Sequence, residues 1–134
     1  MRRLITIFLG LGLLSASGNS QSIPADLVDA LSAGKVDKVA VYFHQNLEMT
    51  ILEKDYTVSK TQATRILKDF FKENPPSVFK VSFEGTKEKS RYAIGTLTTS
   101  GGDFRINLFF MDKQDERLIY YLSIVKESGY ELHP

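Results

Sequence analysis

From Val78 onward the chain carries four strand-like runs, Val78 to Gly85, Arg91 to Thr99, Phe104 to Met111 and Leu118 to Lys126, separated by turn-rich breaks. Runs of this length and composition read as strands, and short breaks join neighbouring strands antiparallel. Gly101-Gly102, between Ser100 and Asp103, suits a two-residue hairpin turn, because glycine accepts the positive φ that primed turns require. That turn predicts a register with Thr99 opposite Phe104, Leu97 opposite Ile106, Gly95 opposite Leu108 and Ala93 opposite Phe110 on one face. The other face receives Thr96 with Asn107, Ile94 with Phe109 and Tyr92 with Met111. Both faces are therefore apolar near their middle, whereas an antiparallel sheet with one wet side alternates cleanly. Something must cover each side. Helices serve for one, and the second is left for a ligand, the chain's own tail or another copy of the molecule. The last strand continues the pattern, with Leu118, Tyr120, Leu122 and Ile124 on one side and Ile119, Tyr121 and Val125 on the other. Its register is open, since Lys113-Gln114-Asp115-Glu116 closes in more than one way.

The helices to cover such a sheet are written upstream. Pro24 suits a first helical turn, Leu27, Val28 and Leu31 make one apolar face, and Gly34 suits a left-handed stop. A second helix is predicted at once, with Asp37 in its first turn and Val36, Val39, Ala40 and Phe43 along one side. Leu47, Met49 and Ile51 alternate with Glu48, Thr50 and Leu52, the period of a strand, which Tyr56 and Val58 extend across a turn at Lys54-Asp55. The third helix is the clearest, with Ala63, Ile66, Leu67, Phe70 and Phe71 on one face, Ser59-Lys60-Thr61-Gln62 as a capping box and Asn74-Pro75-Pro76 as its stop.

The first residues read as an address. Met1-Arg2-Arg3 supplies charge, Leu4 to Leu14 an apolar stretch, and Ser15 to Ser20 small residues for signal-peptidase cleavage, before Asn19 or before Gln21. The apolar run is short of the roughly 20 residues of a spanning helix, so residues 1–20 are expected to be removed and 21–134 to form one domain. An uncleaved anchor is the alternative. The mature chain is then periplasmic or secreted, with no stable membrane insertion. Loss of Arg2 and Arg3 takes 17 basic residues to 15, against 16 acidic ones, which lacks the basic excess that nucleic-acid binding requires. The chain has no cysteine, excluding disulfides, thiolate metal sites, a cysteine nucleophile and an N-terminal lipid anchor.

Helix, helix, strand, helix and a four-strand meander is an order that resembles the nuclear transport factor 2-like superfamily. The local carriers are Leu31-Ser32-Ala33-Gly34 leading through Val39 to Phe43, the Thr61 to Phe71 helix, and Arg91-Tyr92-Ala93-Ile94-Gly95-Thr96. Within it the chain is similar to uncharacterised exported bacterial domains that combine a signal peptide, a helix pair, an Asn-Pro-Pro turn and a Tyr-Ala-Ile-Gly strand. The resemblance implies an α+β fold, a cone-like curved antiparallel sheet with three helices in the N-terminal half. It implies no activity, since the superfamily holds enzymes and binding subunits alike. Its ketosteroid isomerases use an aspartate base with a tyrosine and a protonated aspartate. Rough alignment places Leu27, Ile51 and Asn107 at the tyrosine, the base and the second acid; aliphatic side chains move no protons, so that chemistry is not expected.

Other chemistry is sparse. His44 has no second histidine before His133, and neither has carboxylates at metal-ligand spacing, so no metal or other cofactor is expected. His44 reads as a solvated residue at a helix end. Glu48, Glu53 and Asp55 form an acidic stretch that reads as a wet strand edge, or as an acid and base pair. Tyr42, Tyr56, Tyr92, Tyr120 and Tyr121 read as core and interface packing, or as the lining of a pocket with polar tips. Arg105 and Asn107 are polar positions in an apolar strand. The candidate ligand-binding set is Tyr92, Arg105, Asn107, Phe109 and Tyr121. The function expected is a non-catalytic binding module, homodimeric through its sheet face; the alternative is an isomerase, lyase or carrier with a small apolar ligand.

Overall fold

In the computed structural model residues 23–127 are described. The expected signal peptide, residues 1–20, and Tyr130 and His133 lie outside them. Helix α1 (Ala25–Ala33) turns Leu27, Ala30 and Leu31 inward and ends at Gly34, whose φ of 71° closes the helix in a left-handed cap. There the Lys35 N–H reaches the Ala30 carbonyl and the Gly34 N–H the Leu31 carbonyl, satisfying the last turn's open acceptors. Helix α2 (Val36–Ala40) buries Val36, Val39 and Ala40. Phe43, expected to close that helix, instead opens strand β1 (Phe43–Ile51) and is still buried. His44 is thus a strand residue, its Nδ1 accepting from the Asn46 N–H at 3.3 Å, and not the helix-end residue expected.

The extension through Tyr56 and Val58 is a full strand, β2 (Lys54–Ser59), folded back on β1 with Met49 opposite Tyr56. Helix α3 (Lys60–Glu73) carries both predicted ends. Ser59 Oγ accepts from the Gln62 N–H at 3.2 Å and Gln62 Oε1 from the Ser59 N–H at 3.1 Å, while the Asn74 side chain donates to the Phe70 carbonyl at 3.2 Å. Four side chains, Ala63, Leu67, Phe70 and Phe71, face the core. Burying the large ones is worth roughly 1.5–3 kcal/mol each, more than the cap contributes. Ser59→Ala is therefore expected to cost only about 1 kcal/mol in urea unfolding, through loss of the cap.

Strands β3 (Pro76–Lys87), β4 (Ser90–Thr99), β5 (Gly102–Lys113) and β6 (Glu116–Lys126) form the meander. The sheet order is β2-β1-β6-β5-β4-β3, with β1 running parallel to β6 and the remaining pairs antiparallel. The result is a curved, unclosed six-stranded sheet with three helices on one face. Pairing shifts within β3, at Pro76 to Val78 and Val81 to Phe83, add the local bends that such curvature needs.

The β4–β5 register differs by two residues from expectation: Leu97 faces Phe104 and Thr99 faces Gly102, so the turn is Ser100-Gly101. Thr99 is the cause. Its hydroxyl accepts from the Gly101 N–H at 2.9 Å and donates to the Gly102 carbonyl at 2.8 Å, while the Ser100 N–H is held by the Pro75 carbonyl at 3.0 Å. Gly102, at φ 118°, enters the strand as its first residue. Because side chains alternate with period two, a two-residue shift changes partners and leaves the faces unchanged.

On the helix-covered face stand Ala93, Gly95, Leu97, Phe104, Ile106, Leu108 and Phe110, all within the buried set. In β6 the expected alternation fails, since Phe109 pairs with Tyr121 but Phe110 with Ile119, leaving Tyr120 as an extra residue. That irregularity sends Ile119, Leu122 and Ile124 into the core, whereas the sequence alternation had put Ile119 opposite the other two. The core is continuous from Ile23 to Ile124 and contains Phe70 packed edge-on to Phe104 at 5.0 Å between ring centres.

Candidate functional site

The face of the sheet turned away from the helices is not solvent-like. Rings run across it from strand to strand: Phe83 lies 5.9 Å from Tyr92, Tyr92 5.7 Å from Phe109, and Phe109 5.6 Å from Tyr121 and 6.3 Å from Tyr120. The row thus spans β3, β4, β5 and β6. Two local irregularities assemble it. The shift between Val81 and Phe83 pairs Phe83 with Ile94, and so turns it outward beside Tyr92. The extra residue in β6 gives Phe109 both tyrosines as neighbours. Tyr120 is tied by its hydroxyl to Ser90 Oγ at 2.8 Å. Phe83 is 55% exposed and Met111, on the same face, 40%, values that mark apolar surface still open to contact.

Of the five residues expected to line a site, Tyr92, Phe109 and Tyr121 are brought together in this row. They stand on the outer face, while the interior is filled by Leu67, Phe70, Phe71 and the core faces of β4 to β6. Arg105 and Asn107 share the outer face but are committed elsewhere. Arg105 donates to Glu127 Oε2 at 3.2 Å, and Asn107 Nδ2 donates to Ser123 Oγ at 2.9 Å across the ladder. They belong to a polar half of the face, with Thr96 and Thr98, nearer the Ser100-Gly101 turn.

Beyond Tyr121 the row meets a shallow depression of about 480 Å³, lined by Asn46, Leu47, Glu48, Thr57, Phe109, Tyr120 and Tyr121. Sequence reasoning missed the part of β1 and β2 in it, since only the parallel β1–β6 pairing sets Glu48 beside Tyr121. It also missed Phe83, whose spacing from Phe79 and Val81 is that of an inward residue. Of the positions aligned with isomerase residues, Leu27 is fully buried in the core and Ile51 packs against it. Among the described residues no group of three or more histidine, aspartate or glutamate side chains converges on one point, and no helix is long and apolar enough to cross a membrane.

Three helices on one side of a curved sheet, and a helix-free aromatic face on the other, define an α+β domain of the nuclear transport factor 2-like class. A nuclear transport factor 2-like protein from Cytophaga hutchinsonii shares the fold at 14% identity, with a TM-score of 0.57 over 75% of this chain and 89% of that one. The chain belongs to the DUF4783 family, a domain of unknown function whose model matches residues 24–125. A DUF4783 protein from Bacteroides ovatus is 31% identical and superposes with a TM-score of 0.76 over 81% of this chain and 98% of its own. Another, from Bacteroides fragilis, is 35% identical, with a TM-score of 0.75 over 78% and 99%. Among curated proteins none matches the chain.

Proposed function

We propose that this chain is an exported, non-catalytic interaction module that self-associates through the helix-free face of its sheet. The observation that carries this reading is the row of rings from Phe83 to Tyr121, which no helix covers and in which Phe83 is exposed and the other rings half-buried, while the interior is packed. Aromatic residues and methionine are the types enriched at protein interfaces, and Phe83, Tyr92 and Met111 provide them on one side of the face. A two-fold dimer would set the same patch against itself, so that each of these side chains counts twice. Export is supported by the charged, apolar and small-residue sequence of Met1 to Ser20.

Sedimentation velocity at micromolar concentration tests the reading. The expected result is a dimer, and Phe83→Glu is expected to weaken it at least about tenfold, since each copy then brings a carboxylate into an apolar contact. Phe83 is largely exposed within one chain, so the folded state itself should be little affected. A chain that stays monomeric at about 100 μM, well above the affinities of specific interfaces, contradicts the proposal.

A further inference from the structure

We propose that the depression between β1, β2 and β6 binds an alkylammonium ion, held by Glu48 and by the rings of Phe109, Tyr120 and Tyr121. Glu48 is the one charged side chain among the seven residues that line it. Among the described residues it has neither a hydrogen bond nor an ion pair through its side chain. A second carboxylate stands close by. Asp55 accepts from Thr50 Oγ at 2.8 Å, and the Tyr121 hydroxyl lies 3.4 Å from the same oxygen. The single proton of Thr50 goes to the carboxylate, which cannot donate, so Tyr121 is the donor of the longer contact. Tyr121 is thereby linked through Thr50 to a negative charge, and its ring is steadied at the edge of the depression.

Three classes of small ligand meet this surface differently. An anion is repelled by the charge of Glu48. A neutral apolar ligand covers the rings but strips water from a carboxylate that it cannot pair. A cation with an alkyl surface pairs with Glu48 and is attracted by each ring face it covers. No lysine or arginine lines the depression, and Arg105, on the same face of the sheet, is held by Glu127. Charge and ring chemistry therefore select a cation. The inference goes beyond self-association and does not need it: Phe83 and Met111 do not line the depression, while Phe109 and Tyr121 are shared by the two surfaces, so the site is read on the single chain.

The test is an NMR titration of the full chain with choline and, separately, with its uncharged isostere 3,3-dimethylbutanol. Choline is expected to shift amides of β1, β2 and β6, and the isostere to bind about tenfold more weakly. Glu48→Gln should weaken choline by about five- to tenfold, and Tyr121→Leu by a similar factor, with the dispersion of the spectrum unchanged. The same titration on Phe83→Glu should give an affinity at least equal to the parent's, because loss of self-association can only uncover Phe109 and Tyr121; weaker binding in that variant would overturn the inference, so failure of this site is read apart from failure of self-association. Equal binding of choline and the isostere, an unchanged affinity in Glu48→Gln, tighter binding of a neutral sugar than of choline, or no shift at about 100 mM choline would overturn the inference.

Discussion

Phe70→Asp is expected to remove at least about 5 kcal/mol of stability and to leave little folded protein at 25 °C. The side chain is 6% exposed and packs edge-on to Phe104 on β5 and against Phe71. Truncating a buried phenylalanine costs about 3–5 kcal/mol by itself, and the new carboxylate would be set against the Phe71 and Phe104 rings, which cannot pair its charge. A domain of this size holds in total about 5–15 kcal/mol. Urea unfolding followed by circular dichroism checks this, with Phe70→Leu as the control that keeps most of the apolar volume and is expected to cost under about 2 kcal/mol. If Phe70→Asp cost as little as Ser59→Ala, the third helix would not be the seal over the sheet.

The second large effect is expected at Gly95. A Cβ on this residue would fall 2.5 Å from the Lys80 carbonyl oxygen and 2.7 Å from two ring carbons of Phe79. The ring has some freedom to tilt. The carbonyl has none, because Lys80 and Val81 are fixed opposite Thr96 and Gly95 in the β3–β4 ladder. Gly95→Ala must then push β3 away from β4 beside the pairing shift at Val81 to Phe83, with an expected cost of about 2–3 kcal/mol. Combining it with Phe79→Leu should recover only part of that loss, since the backbone clash remains. Gly101 makes a useful contrast: its Cβ would come within 2.2 Å of Asn74 Oδ1, but that atom ends a flexible side chain that can turn aside once its bond to the Phe70 carbonyl is given up. Gly101→Ala is expected to cost about 1 kcal/mol, the Asn74 to Phe70 hydrogen bond. Comparable losses at the two glycines would mean that β3 is free to slide over β4.

Elements fixed by local chemistry were readable from the chain. Helix α3 announces itself through the Ser59 and Gln62 cap, its apolar stripe and the prolines after it, each of which acts within a few residues. The two-sided character of β4 and β5 was equally plain, because period-two alternation survives a register error, as the two-residue difference at Thr99 illustrates. What escaped was set by pairing over long distance. The irregularities at Phe83 and Tyr120 leave no mark on the local pattern, yet they decide which rings join the aromatic row. Likewise Glu48 reads as a solvated charge until β1 is seen lying parallel to β6, seventy or more residues away in the chain, with Tyr121 beside it. Nor does sequence say how an inner face is filled: it gives each strand its two faces, and only the packing shows Leu67, Phe70 and Phe71 filling the inner one.

The absence of cysteine opens a direct probe of the outer face. Met111→Cys puts one thiol on that face, and Asp69→Cys puts one on the exposed side of α3. Alkylation rates of the two variants, measured from nanomolar to about 100 μM protein, report which surface becomes covered as molecules meet. Self-association through the aromatic row requires the Met111→Cys rate to fall at least about tenfold over that range while the Asp69→Cys rate stays constant. A Met111→Cys rate independent of concentration, or a fall confined to Asp69→Cys, would contradict it.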